Sequence, residues 1–237
     1  MGPRGREPQG GEPPGDLGAS LQLLRLCSPA LPIGAYSYSQ GLEWAVEAGW
    51  VSDEEGAGQW LMGLLRFSWT YLEVPLMARL HQAWRDGSQP AVRRWNAFLL
   101  ASRESAEMQA AELNMGQALA RLLADLGSAE AQAWSGRAQT SLAAMFALAA
   151  LSGGIGQGQA CAGYLWTLAE GLVSAALKLV PLGQTAGQRL LNRACQAIPQ
   201  ALSVGLSLED GEIGYMAPGL AMASALHETQ RTRLFRS

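Results

Sequence analysis

Side chains able to carry chemistry are few in this chain of 237 residues, and they do not gather into a familiar catalytic pattern. The only histidines are His81 and His227; His227-Glu228 begins like H-E-x-x-H and fails at Arg231, where the second histidine would stand. A dedicated metal cage is therefore not expected, which leaves at most a weak or shared site at a histidine. Cys27, Cys161 and Cys195 stand far apart with no C-x-x-C pair, so neither a disulfide framework nor a zinc knuckle is predicted. The run Ser37-Tyr38-Ser39-Gln40-Gly41 has the serine of a G-x-S-x-G nucleophile elbow, but Ser37 replaces the first glycine and no strand precedes it. Gly153-Gly154-Ile155-Gly156-Gln157-Gly158 offers the glycines of a phosphate loop without the lysine that reaches phosphates, and it follows a helix. It reads as an interhelix joint, and the chain is not expected to be a GTPase or ATPase.

What remains is charge at particular spacings. Glu43 and Glu47 lie at i,i+4 on one helical face, where like charges repel; they suit metal ligation, an acidic patch facing a partner, or simple solvation. Arg103, Glu104 and Glu107 form a second cluster, with Arg103 and Glu107 one turn apart and able to pair. Lys178 is the only lysine and sits in the apolar run A-A-L-K-L-V, placed either to snorkel at a helix C-terminus or to meet a partner. The last residues, His227-Glu228-Thr229-Gln230-Arg231-Thr232-Arg233-Leu234-Phe235-Arg236-Ser237, surround Leu234 and Phe235 with three arginines. That composition is typical of interface hot spots, and a free end can order on binding, so the tail is read as an interaction segment.

The elements that must position these residues are helical. Counting gives 39 Ala and 37 Leu against 4 Ile and 7 Val, a choice of apolar residues that favours helices and starves sheets. An all-α, single-domain bundle of about ten helices is predicted. Residues 1–18 (MGPRGREPQGGEPPGDLG) bury too little apolar surface to offset their ordering entropy and read as a disordered leader. They also lack the apolar core of a signal peptide, which with the isolated cysteines suits a cytoplasmic protein. Helices are then expected at about 21–27, 37–48 and from 52 onward, with Ser52 and three acids opening the last. Leu61, Leu65, Trp69, Leu72, Leu76 and Leu80 form its buried stripe, with a kink or break at Pro75. Further helices are expected at 90–101, 103–126, 128–135, 139–152, 158–180, 185–206 and 216–231. The apolar run 160–180 could span a bilayer by length, but Glu170 and Lys178 interrupt it, so a buried helix is predicted. Net charge −3 argues against nucleic acid as a ligand, and charged residues at only 16% leave a surface suited to protein partners.

The stretch L-C-S-P-A-L-P-I-G-A-Y-S-Y-S-Q-G-L-E-W-A-V-E-A-G, from Leu26 to Gly49, resembles the N-terminal signature of the urease accessory protein UreF family. S-R-E-S-A-E-M at 102–108, M-G at 115–116, K-L-V-P-L-G-Q at 178–184 and A-S-A-L-H-E-T-Q-R-T-R-L-F-R-S at the end are similar to the same family. The resemblance implies a homodimeric, non-catalytic helical scaffold without a cofactor of its own. Its partners would be the accessory protein UreD or UreH, the GTPase UreG and the urease apoprotein, with nickel and GTP handled by those partners. It further implies partner-facing roles for Tyr36, Ser37, Tyr38, Ser39, Gln40, Gly41 and Glu43, for Lys178, Gly183 and Gln184, and for the tail. The tail residues are His227, Glu228, Arg231, Arg233, Leu234, Phe235, Arg236 and Ser237, a segment ordered on binding UreD. Arg103, Glu104 and Glu107 join this candidate set, and Arg103 or a tail arginine is the expected supplier of any charge stabilising a GTPase transition state. The reading of another class is a small-molecule-binding or enzymatic bundle with its ligand between helices 139–180.

Overall fold

The structure is a computed structural model describing residues 14–214 and 217–236, and among these it is entirely helical. Eleven α-helices follow in order: α1 Pro14–Leu26, α2 Leu42–Glu47, α3 Glu54–Leu64, α4 Glu73–Arg85, α5 Gln89–Ala101, α6 Ala106–Asp125, α7 Ala129–Trp134, α8 Leu142–Ser152, α9 Gln157–Leu179, α10 Gln184–Ser207 and α11 Pro218–His227. Residues 1–13 of the predicted leader lie outside the described residues. Residues 14–18 were expected to be unstructured and instead begin α1, because proline at a helix start loses no bond that the first turn would have made.

Helix α8, LAAMFALAALS, is apolar all round, and a helix without a polar face must be surrounded. It packs against α4 and α6, while α9 lies between α8 and α10. Gly116 of α6 permits the closest approach: a Cβ there would stand 2.2 Å from the carbonyl oxygen of Thr140 just before α8. Helix α9 is the one described helix long and apolar enough to cross a membrane, and 56% of its most apolar window is buried within the bundle.

Three expectations are corrected. The helix predicted over 37–48 is a 3₁₀ turn at Ala35–Ser37 followed by the short α2, because Gln40 and Gly41 take positive φ (54° and 74°) and break the helical path. A side chain in place of Gly41 would also crowd Ala223 Cβ, 3.2 Å from its Cβ position. The cap of α3 is Asp53 rather than Ser52, its carboxylate accepting from the Gly56 amide at 2.8 Å. The long helix breaks before Pro75, not at it: a π-turn over Leu65–Trp69 ends where the Thr70 hydroxyl donates to the Leu65 carbonyl at 2.6 Å. Pro75 then falls in the first turn of α4, where its missing N–H costs nothing.

Candidate functional site

The C-terminal tail doubles back across the bundle and is held by two carboxylates. Glu43, in the first turn of α2, accepts from the Leu234 amide through Oε1 at 2.5 Å and from the Phe235 amide through Oε2 at 2.9 Å. Its Oε2 also lies 3.0 Å from His227 Nε2 at the end of α11. Glu107, in the first turn of α6, faces His227 Nδ1 at 2.5 Å and pairs through its other oxygen with Arg233. His227 is fully buried between these acids, with both ring nitrogens engaged and neither left open for a metal ion. The clasp closes when the Arg236 amide donates to the Ser37 carbonyl at 2.8 Å and the Glu228 carboxylate caps α6 by accepting from the Ala106 amide at 2.7 Å. Ser105 and Ser224 hydroxyls bond beneath it.

Phe235 is the anchor. Its ring is 5% exposed within the apolar core, with the Lys178 ammonium 5.4 Å from the ring centroid, a cation–π distance. Burying such a ring contributes about 1.5–3 kcal/mol, enough to hold a short segment down. The neighbouring Leu234 stays 65% exposed. The tail of the chain is docked onto its own bundle rather than extended.

The residues 36–43 divide by depth. Tyr36 is 71% exposed, whereas Tyr38 is buried with its hydroxyl oxygen accepting from Asn114 Nδ2 at 3.3 Å. Ser39 is buried and its hydroxyl accepts from the Glu43 amide. Of the pair Glu43 and Glu47, the solvated reading fails for Glu43 and holds for Glu47. Gly183 caps α10 and Gln184 begins it, both exposed, and among the described residues neither is joined to the clasp. Arg231 and Arg236 are exposed; Ser237 lies outside the described residues.

Arg103 corrects the sequence reading most sharply. It does not pair with Glu107 but turns inward, its Nη1 2.5 Å from Glu73 and its Nη2 2.7 Å from Glu112, in a side chain 8% exposed. Burial alone would lower its affinity for the proton, but the two carboxylates overcome that and hold it well above the ordinary arginine value. The second Glu112 oxygen accepts from the Ala143 amide at 3.0 Å, so the knot joins α4, α6 and the start of α8. An arginine spent in this way does not reach a partner's active site. Glu73 and Glu112 went unnoticed in the sequence, although single acids inside otherwise apolar helix faces were the available signal.

Other reactive groups are structural. His81 Nε2 donates to the Ile155 carbonyl at 3.0 Å, and burial pushes the ring below its usual value. Burial pushes the Cys161 thiol up to about 12, which removes it as a nucleophile. A space of about 70 Å³, lined by residues of α4, α6 and α9 with Tyr38, Trp69 and Leu142, has room for a few waters.

The fold and the clasp together define a protein that is helical in its described residues and whose paired charges hold chain segments in place. The comparisons name the family: the UreF family model matches residues 51–195, and the chain belongs to that family. The urease accessory protein UreF of Alkalilimnicola ehrlichii is 48% identical over 219 residues, covering 92% of this chain and 96% of its own. That of Azoarcus sp. is 46% identical over 230 residues (95% and 98%), and that of Chromohalobacter salexigens is 45% identical over 216 (91% and 93%).

Proposed function

We propose that this chain is an accessory protein of urease maturation that works as a scaffold in the cytoplasm, without chemistry or a cofactor of its own. As a homodimer it would bind a UreD- or UreH-type protein, and the pair would recruit the GTPase UreG to the urease apoprotein so that GTP hydrolysis is tied to nickel delivery. The observation that carries this reading, beside family membership, is the docked tail. Its clasp fixes the backbone of residues 234–236 while leaving Leu234 at 65% exposure, and α11 presents Met222 and Leu226, one turn apart, at 52% and 41%. Exposed apolar side chains on a pre-ordered segment suit protein docking, because the ordering entropy is already spent. Arg231 and Arg236 stand free to meet a GTPase partner, as the buried Arg103 does not.

Co-purification tests it. The intact chain, a form ending at Gln230, and the double variant Leu234→Ser with Met222→Ser are each mixed with a UreD-type protein and then UreG, and masses are measured. Complexes containing two copies of each protein are expected from the intact chain, with loss of UreD or UreG from both altered forms. Failure of the intact chain to bind either protein would overturn the scaffold reading. Equal binding by all three would remove the tail and α11 from the interface.

A further inference from the structure

The loop between α5 and α6 carries two neighbouring charged residues with opposite fates. Arg103 is saturated by Glu73 and Glu112 in the core. Glu104 is less well served: its Oε2 is buried without a hydrogen-bond donor, and burial pushes its carboxyl up, with the Arg103 charge opposing only in part. Three carboxylates therefore share one guanidinium, so this corner of the protein carries excess negative charge. Glu104 also lines a crevice of about 400 Å³ together with the apolar Leu72, Ala101, Met108 and Leu220, the hydroxyl-bearing Ser68 and Ser102, and Arg103, whose charge is already met by Glu73 and Glu112.

A crevice with apolar wall residues and more carboxylate than guanidinium around it matches a particular chemistry. Lysine and arginine have long methylene stems that pack on apolar surface and a cationic head that seeks a carboxylate. A small inorganic cation would leave those walls unused, and a neutral apolar group would leave the acid unpaired. We propose that this crevice receives a lysine or arginine side chain of a protein partner, the stem lying against Leu72, Met108 and Leu220 and the cationic head meeting Glu104. The crevice adjoins the clasp, since Leu220 belongs to α11 and Ser105, the next residue after Glu104, bonds to Ser224 of the same helix. One partner can then engage the tail, α11 and the crevice together. The identity of that partner rests on the scaffold reading; the chemistry of the crevice does not.

The test uses n-butylguanidinium, a stem with a cationic head, against its neutral counterpart n-butylurea, titrated into the full chain and followed by NMR shifts of crevice residues. The wild-type chain is expected to bind the cation in preference to the urea, with binding about five- to tenfold weaker in Glu104→Gln and partly restored in Glu104→Asp. Glu104→Gln is also expected to unfold no earlier than the wild type, because the substitution removes a partly buried charge without a partner; a merely structural carboxylate would give earlier unfolding. No preference for the cation, or equal binding by Glu104→Gln, would overturn the proposal. In the co-purification experiment, wild-type binding matched by Glu104→Gln would overturn the crevice as a partner contact and leave the scaffold standing. Absence of wild-type binding would overturn the scaffold, while the n-butylguanidinium titration would still decide the crevice.

Discussion

Two parts of this molecule use one layout, a basic side chain flanked by two glutamates, for different ends. In the core, Glu73, Arg103 and Glu112 are 2–8% exposed and join α4, α6 and the start of α8, elements already packed together. At the C-terminus, Glu43, His227 and Glu107 join α2, α6 and α11 to a segment with no helix of its own, and the added Arg233 is 35% exposed. The difference is in what happens if the charges part. Opening the core knot strands ions away from water, whereas the tail can lift into solvent and leave the bundle intact. Charge buried among packed helices holds the first arrangement, whereas the second, although His227 and Glu43 are as deeply buried, secures a segment outside any helix and is the candidate for exchange with a partner.

Five substitutions probe the comparison. Arg103→Met leaves two acids buried without a cation and is expected to cost about 3–5 kcal/mol in global stability, read from urea unfolding. A loss under about 1 kcal/mol would show that the knot is not the fixed member of the pair. Phe235→Ala removes the tail's anchor; about 3 kcal/mol should vanish from tail docking, with faster amide exchange at residues 234–236 and little change in α4 or α8. Glu43→Gln keeps the shape but removes the charge that serves two amides and His227, so the same amides should exchange faster by about 1–2 kcal/mol. Core loosening in either variant would erase the distinction between the regions.

Glu104→Gln should raise the unfolding midpoint slightly at pH 7. The folded carboxyl holds its proton to higher pH than the unfolded one, so its charge opposes folding above that range. The advantage should therefore fade as the pH is lowered and be absent by about pH 3, well below the ordinary glutamate value, where both states are protonated. An advantage that grew on acidification would contradict the assignment. Glu54→Gln breaks an exposed pair with Arg189, whose side chains are 35% and 58% exposed, and should leave the midpoint unchanged.

Helix content, the placement of most helices and the buried α8–α9 pair were legible in composition and periodicity, because a helix records its apolar face at short range. The break at Gln40-Gly41 was not, since a glutamine at positive φ leaves no local mark. Of the residues singled out in the sequence, Glu43, Glu107, His227 and Arg233 meet in the clasp, a pairing that local pattern did not show. Arg103 and Glu107 stand four apart and invited a pair along one helix, but α6 begins only at Ala106, so Arg103 lies in a loop free to turn the other way.

By itself the sequence determined that this chain is helical, poor in charge, without a nucleotide loop or a metal motif, and similar along its length to the UreF family. Only the tertiary structure decided that its tail is clasped, that Phe235 is core, that Arg103 is locked between Glu73 and Glu112, and that Glu104 is left without a partner. Those contacts join residues from 9 to almost 200 positions apart. Whether a charge is spent or free depends on which distant side chain the fold brings within about 3 Å, and local pattern carries no record of that.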